Sequence, residues 1–172
     1  MDYAHANGIP ELRRNIAALY PGAGPENVLV TVGAIEANYD ILWSLLSPGD
    51  EIVVMLPNYM QIWGLAKNLG FSLKTFSFDE KNGWAPDLDG LKKAVTRKTK
   101  LIAVCNPNNP TGYILDKKEM EAVVETARGA GAWILADEVY AGAERTAEEQ
   151  TPTFYGLYDK VLAVGSLSKA YG

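Results

Sequence analysis

The sequence predicts a three-layer α/β/α domain with a mostly parallel central sheet, and three observations predict it. Short runs of β-branched and aliphatic residues alternate along the chain with stretches whose apolar residues recur at helical spacing. Two of those runs, Ile52-Val53-Val54-Met55-Leu56 and Leu101-Ile102-Ala103-Val104, are apolar without alternation, so both faces of each strand are covered. Glycine, proline, serine and aspartate punctuate the runs where turns between strands and helices belong. A doubly wound sheet between helix layers satisfies all three.

The elements follow in order. Strands are expected at Val28 to Val32, Glu51 to Leu56, Ser72 to Phe76, Leu101 to Cys105, Trp133 to Ala136 and Val161 to Val164. A helix from Glu36 to Leu46 places Tyr39, Leu42, Leu45 and Leu46 at helical spacing and stops at Ser47-Pro48-Gly49-Asp50. A second helix, Met60 to Leu69, ends at Gly70, and a third runs from about Leu88 to Val95. A fourth starts at Asp116, whose carboxylate caps the turn with Glu119 three residues on, and continues to about Arg128 before Gly129-Ala130-Gly131. The one long irregular stretch runs from about Ala141 to Tyr158.

At 172 residues the chain has the length of one domain. Its 16 basic and 21 acidic residues leave a net charge of −5, which argues against nucleic acid as the main partner. The local basic run Lys92, Lys93, Arg97, Lys98 and Lys100 reads as a solvated helix end whose cations complement the helix dipole. No apolar run approaches the ~20 residues of a membrane span. Met1-Asp2-Tyr3-Ala4-His5 lacks the basic and apolar regions of a secretory signal, so a cytoplasmic location is expected. With one cysteine, Cys105, and one histidine, His5, neither an internal disulfide nor a zinc site is expected, and no metal is.

Ligands of open α/β sheets bind beyond the carboxyl ends of the strands. There the chain carries Gly33-Ala34-Ile35, Pro57-Asn58-Tyr59, Asn106 to Gly112, Asp137 to Tyr140 and Ser166-Leu167-Ser168-Lys169. Neither a Gly-x-Gly-x-x-Gly fingerprint nor a Gly-Lys phosphate loop is present. Gly33 still leaves free N–H groups at a helix's positive end. Taken singly, each feature has a plainer reading: a steric glycine, a turn, a helix cap, a solvent-facing lysine.

Together they fit one ligand. Pyridoxal phosphate needs a lysine for its aldehyde, an anion beside its ring nitrogen, donors to its phenolate oxygen, a stacking face and a phosphate cradle. Lys169 after an apolar strand, where burial would disfavour its ammonium form, is suited to a Schiff base. Asp137 at the end of a buried strand needs a cationic partner.

The residues resemble the fold type I pyridoxal-phosphate enzymes, specifically the class I/II aminotransferases related to aspartate aminotransferase. The resemblance begins at Tyr3-Ala4-His5-Ala6-Asn7-Gly8-Ile9-Pro10-Glu11-Leu12-Arg13 and passes through Thr31 to Ala37, Pro48-Gly49-Asp50-Glu51 and Asn109-Pro110-Thr111-Gly112. It ends in Ala136-Asp137-Glu138-Val139-Tyr140 and Ser166-Leu167-Ser168-Lys169-Ala170-Tyr171-Gly172. It implies that Lys169 binds the cofactor aldehyde and shuttles a proton, that Asp137 pairs with the pyridinium, and that Tyr140 and Asn109 donate to the phenolate oxygen. Tyr59 is implied as the stacking aromatic, with Gly33, Ala34, Ile35, Ser166 and Ser168 as the phosphate cradle. Tyr3 is implied to reach the phosphate of a second subunit, hence a homodimer acting on amino acid and 2-oxo acid substrates.

The resemblance further implies that residues 1–172 form a single cofactor-binding large domain, truncated, without the family's amino-terminal arm and carboxyl-terminal small domain. The same cofactor residues serve lyases and decarboxylases of this fold, and a fragment that only binds cofactor or dimerises is the non-catalytic alternative. Ser166-x-x-Lys169 also matches a serine-acylating signature, but its companions Ser-Asp-Asn and Lys-Thr-Gly are absent.

Overall fold

The structure, a computed structural model, describes residues 5–144 and 151–172. Helix α1 (Pro10–Ala17) and helix α2 (Gly33–Leu45) precede strand β1 (Glu51–Leu56), helix α3 (Gln61–Asn68) and strand β2 (Ser72–Asp79). A short strand β3 (Ala85–Pro86) and helix α4 (Leu88–Ala94) lead into β4 (Thr99–Cys105), α5 (Lys117–Ala130), β5 (Trp133–Asp137), β6 (Val161–Val164) and α6 (Leu167–Ala170).

The six strands form one sheet in the order β3-β2-β1-β4-β5-β6. Every pairing is parallel except the antiparallel contact of β2 with β3. From β1 the chain goes out to β2 on one side, and β4 then lies on the other. The loops after β1 and β4 therefore part at a topological switch point, where a parallel sheet opens a crevice.

Alternate residues of a strand face opposite sides of the sheet, and here each side has its own cover. Val53, Met55, Ile102, Val104 and Ile134 pack with Leu91 of α4 and Met120, Val123 and Val124 of α5. Ile52, Val54, Leu101, Ala103 and Leu135 pack with Leu42 of α2 and Ile62 and Ala66 of α3. This two-sided burial is why β1 and β4 lack polar alternation. Trp84 and Trp63 join opposite clusters, one each, as packing residues.

Helix α5 begins as expected: the Asp116 carboxylate accepts from Glu119 N–H at 2.8 Å, and the Glu119 carboxylate accepts from Asp116 N–H at 2.8 Å. It ends at Gly131, which takes the left-handed conformation at φ 70°. Lys92 and Lys93 occupy the last turn of α4, as the reading of the basic run required.

Val28 to Val32 is not a strand. Its backbone is bonded not to the sheet but to the amino-terminal segment, where Val30 N–H donates to Asn7 C=O at 3.0 Å, while Leu29 and Val32 stay exposed. Gly8, at φ +102°, permits this close approach: a Cβ there would lie 2.5 Å from a Val30 methyl. Strand propensity without a partner strand leaves an extended segment. Helices α1 and α6 and strand β3 were not anticipated, and β2 runs on to Asp79. Tyr39 lies on the outer face of α2, 40% exposed and stacked on Trp43, while Asn38 takes the inward position.

Among the described residues no helix is long and apolar enough to cross a membrane. Nor do three or more His, Cys, Asp or Glu side chains among them gather as metal ligands would. Of the irregular stretch predicted from Ala141 to Tyr158, residues 145–150 lie outside the described residues.

Candidate active site

Asp137 is the last residue of β5 and is 6% exposed. Its neighbours across the sheet are Cys105 on β4 and Val164 on β6. Asn106 N–H donates to Asp137 C=O at 2.9 Å and Glu138 N–H to Val164 C=O at 2.8 Å, which pins the backbone on both sides. Of the carboxylate oxygens, Oδ1 accepts from Val139 N–H and Oδ2 from the Asn38 side-chain amide, each at 3.3 Å. Among the described residues no lysine or arginine forms an ion pair with it. Burial therefore raises the Asp137 carboxyl above the ordinary carboxylate range, against the smaller opposing pull of those two donors. The nearby Cys105 thiol is likewise pushed up to about 12, by burial first and by Asp137 second.

Lys169 lies on α6, directly after β6, with Nζ 5.4 Å from the centroid of the Tyr140 ring. The structure leaves Lys169 exposed, the plainer of the two readings that its place after a strand allowed. Among the described residues β6 is the last strand on its side of the sheet. Tyr140 itself sits in the turn after β5, held by Ala143 N–H donating to its carbonyl at 3.0 Å.

Asn109 and Tyr140 meet in a cleft of about 320 Å³ that is also lined by Pro107, Ile114 and Glu144. Asn108 positions this loop: its amide donates to Pro57 C=O at 3.2 Å and its oxygen accepts from the Thr111 hydroxyl at 2.8 Å. The loops after β1 and β4 are thus tied together at the switch point.

Gly33, Ala34 and Ile35 form the first turn of α2. Gly33 takes φ +74°, a conformation that a side chain would strain, with open space where a Cβ would stand. Ser166 caps α6 by accepting from Ser168 N–H at 3.1 Å, and Ser168 is exposed. Tyr59 follows β1 at 49% exposure, and neither it nor the starts of α2 and α6 line the cleft. Tyr3 lies outside the described residues.

Asn38 and Gln61 escaped the sequence reading, and Glu138 was given no role in it. Asn38, 2% exposed, joins Asp137 to Gln61 of α3. Glu138, 3% exposed, accepts from Phe154 N–H and the Thr153 hydroxyl, each at 2.7 Å, anchoring residues 153 and 154 beneath β5. Burial, with Asp137 adding to it, pushes the Glu138 carboxyl up to about 7. The signal for Asn38 was its place four residues before Leu42, on the stripe that the apolar spacing turns inward.

Known proteins resemble the chain along its whole length. The sequence profile described as "Aminotransferase class I and II" matches residues 1–172. A probable aspartate aminotransferase of Methanocaldococcus jannaschii is 30% identical, with 98% of this chain and 45% of that protein covered. A histidinol-phosphate aminotransferase of Methanococcus maripaludis is 33% identical, with 95% and 43% covered. The crystal structure of a PLP-dependent aminotransferase from Streptococcus suis superposes with a TM-score of 0.92 at 40% identity, covering 99% of this chain and 45% of that one. The chain thus spans less than half the length of these relatives.

Proposed function

The chain belongs to the aminotransferase class I and II family, and on that premise we propose that it forms the cofactor-binding large domain of a pyridoxal-phosphate-dependent aminotransferase exchanging amino groups between amino acids and 2-oxo acids. The observation that carries this reading is Asp137: a buried carboxylate at the carboxyl edge of the sheet, with no cation beside it among the described residues. A protonated ring nitrogen is the partner such a group requires. The cofactor fits on that ground, and when bound it supplies an electron sink for the substrate's Cα.

The residues of the chain have distinct tasks in this reading. Asp137 holds a ring nitrogen in its protonated form. Lys169 anchors the aldehyde and carries a proton at Nζ, and its proximity to the Tyr140 ring supports placing both at one site. Tyr140 and Asn109, which share a cleft, donate to a ring oxygen. Tyr59 offers a flat face. The N–H groups of Gly33, Ala34 and Ile35, with the hydroxyls of Ser166 and Ser168, receive the phosphate, as helix N-termini do for anions. Tyr3 reaches the phosphate of a second copy in a cytoplasmic homodimer; the lone buried thiol Cys105 suits a reducing compartment.

The test begins by adding pyridoxal phosphate to the purified protein and following its visible absorption. Borohydride then fixes a pyridoxyl group on Lys169, located by mass spectrometry, and Lys169→Ala carries none. No absorption change in the wild type, or an undiminished adduct in the variant, rejects the reading. The chain spans less than half the length of its relatives, and this favours a second reading, in which these 172 residues by themselves bind cofactor without turnover. Assays with amino acid and 2-oxo acid mixtures beside the binding titration separate the two.

A further inference from the structure

We propose that Asn38 is a positioning residue for Asp137: its side-chain amide holds Oδ2 of the carboxylate in place and favours the charged form that faces a ring nitrogen. The proposal rests on Asp137 being the cofactor's partner, as read above.

Asn38 occupies the inward stripe of α2 with Leu42, which packs in the cluster of Ile52, Val54, Leu101, Ala103 and Leu135. A buried amide among aliphatic side chains is unfavourable unless its hydrogen bonds are made. Nδ2 carries two hydrogens and has two acceptors, Asp137 Oδ2 at 3.3 Å and Gln61 Oε1 at 3.2 Å. Gln61 is itself oriented, because its Nε2 donates to Ile35 C=O at 2.5 Å and so turns its oxygen toward Asn38. With the opposite amide orientation, Asn38 Oδ1 would face two oxygens, so the neighbours select the donor for Asp137.

The arrangement leaves a cost behind it. Asn38 Oδ1 is buried and has no hydrogen-bond partner among the described residues. An aliphatic side chain at this position would fill the same face without that orphaned oxygen. What the amide adds is a donor aimed at one oxygen of the carboxylate. Each oxygen of Asp137 then has one donor, Val139 N–H on Oδ1 and Asn38 on Oδ2. The chain from Ile35 through Gln61 and Asn38 to Asp137 also links the first turn of α2, assigned to the phosphate, with the carboxylate assigned to the ring.

A double-mutant cycle tests this. Dissociation constants for pyridoxal phosphate are measured for the wild type, Asn38→Leu, Asp137→Asn and the double variant. Asn38→Leu weakens binding about tenfold when Asp137 is present and leaves it unchanged in the Asp137→Asn background. An equal loss in both backgrounds overturns the proposal, because it marks a structural effect blind to the carboxylate. In the cofactor-free protein, isotope-edited infrared titration of Asp137 supplies the second readout: Asn38→Leu moves its midpoint upward, and an unmoved midpoint overturns the proposal. If Asn38→Leu fails to fold by circular dichroism, Asn38→Ala is carried through the same cycle. A wild type that binds no pyridoxal phosphate refutes the cofactor reading instead, and the infrared midpoint alone then decides for or against the Asn38 contact.

Discussion

Glu51 and Asp137 are both buried carboxyl groups of one sheet, Glu51 at the start of β1 and Asp137 at the end of β5, at 8% and 6% exposure. Their surroundings differ. Glu51 receives the Lys74 ammonium at 2.7 Å, the Thr96 hydroxyl at 2.8 Å and a further hydroxyl from Thr99. Burial works to raise its carboxyl, but Lys74, Thr99 and Thr96 together outweigh burial and leave Glu51 below the ordinary value. Asp137 receives two uncharged donors and no cation among the described residues, and its carboxyl is raised. At similar solvent exposure, though Asp137 is set deeper in the protein, the amino edge supplies its carboxylate with a cation and the carboxyl edge does not. That contrast marks which edge is built for the fold and which for a ligand.

Exchanging each acid for its amide gives the largest effects and sharpens the contrast. On the proposed aminotransferase reading, Asp137→Asn lowers cofactor-dependent turnover on the order of a hundredfold to a thousandfold, the scale of losing one oriented electrostatic group in a site. It leaves urea stability of the cofactor-free protein unchanged or higher, because a buried charge without a cation is removed. Glu51→Gln does the reverse: stability falls by about 2 kcal/mol while the cofactor dissociation constant holds. That figure is discounted from a fully buried pair because the Lys74 side chain is 36% exposed. Since its carboxyl is lowered, Glu51 stabilises above the ordinary value of 4.5, and this contribution is lost as pH falls below it. If both variants lose stability alike, the distinction between the edges fails.

Glu138 extends the comparison to pH. Its carboxyl stands at about 7 in the folded chain against an ordinary 4.5, so the native state holds a proton that the unfolded chain releases. The contribution is complete below 4.5 and is lost as pH rises through 7, opposite in sign to Glu51. The gap corresponds to at most about 3 kcal/mol. Asp137 beside it, with Tyr20 packed nearby, belongs to the same group, and Asp137 adds to the trend because it too is raised. Urea midpoints of the cofactor-free protein, followed from acid to neutral pH, should fall, and Glu138→Gln should flatten most of that slope. A slope that survives in Glu138→Gln assigns the proton elsewhere.

Legibility in the sequence followed the same division. Strands β1 and β4 were readable because burial on both faces demands unbroken apolar runs, and α5 because Asp116, Glu119 and Gly131 state its ends chemically. Val28 to Val32 has equally good strand residues, but a strand is a pairing, and pairing is not local information. Helix α1 was missed because its face is largely polar; the Arg13 side chain is spent on Val28 C=O at 3.0 Å and on Pro25 C=O rather than on a core. At the site, Asp137, Asn109 and Lys169 were readable as residue types at strand ends. Asn38 was not, since an asparagine in a helical run reads as solvent-facing until a carboxylate ninety-nine positions away is brought to it.

An exposed carboxylate sets the lower limit of the series. Asp116 lies in solvent at the start of α5, and its charge needs no cation because water screens it; its role is to accept a hydrogen bond from Glu119 N–H at 2.8 Å. Asp116→Ala removes that acceptor and breaks the reciprocal pair with Glu119, which costs about 1 kcal/mol. Asp116→Asn retains an acceptor oxygen and should recover most of the loss, whereas the same acid-to-amide change at Glu51 keeps an acceptor for Thr96 and Thr99 but loses the charge that pairs with Lys74. Thermal unfolding of the three variants against wild type checks the order. A full loss in Asp116→Asn would mean that charge, not geometry, governs this cap, and that burial alone does not separate the carboxylates of this chain.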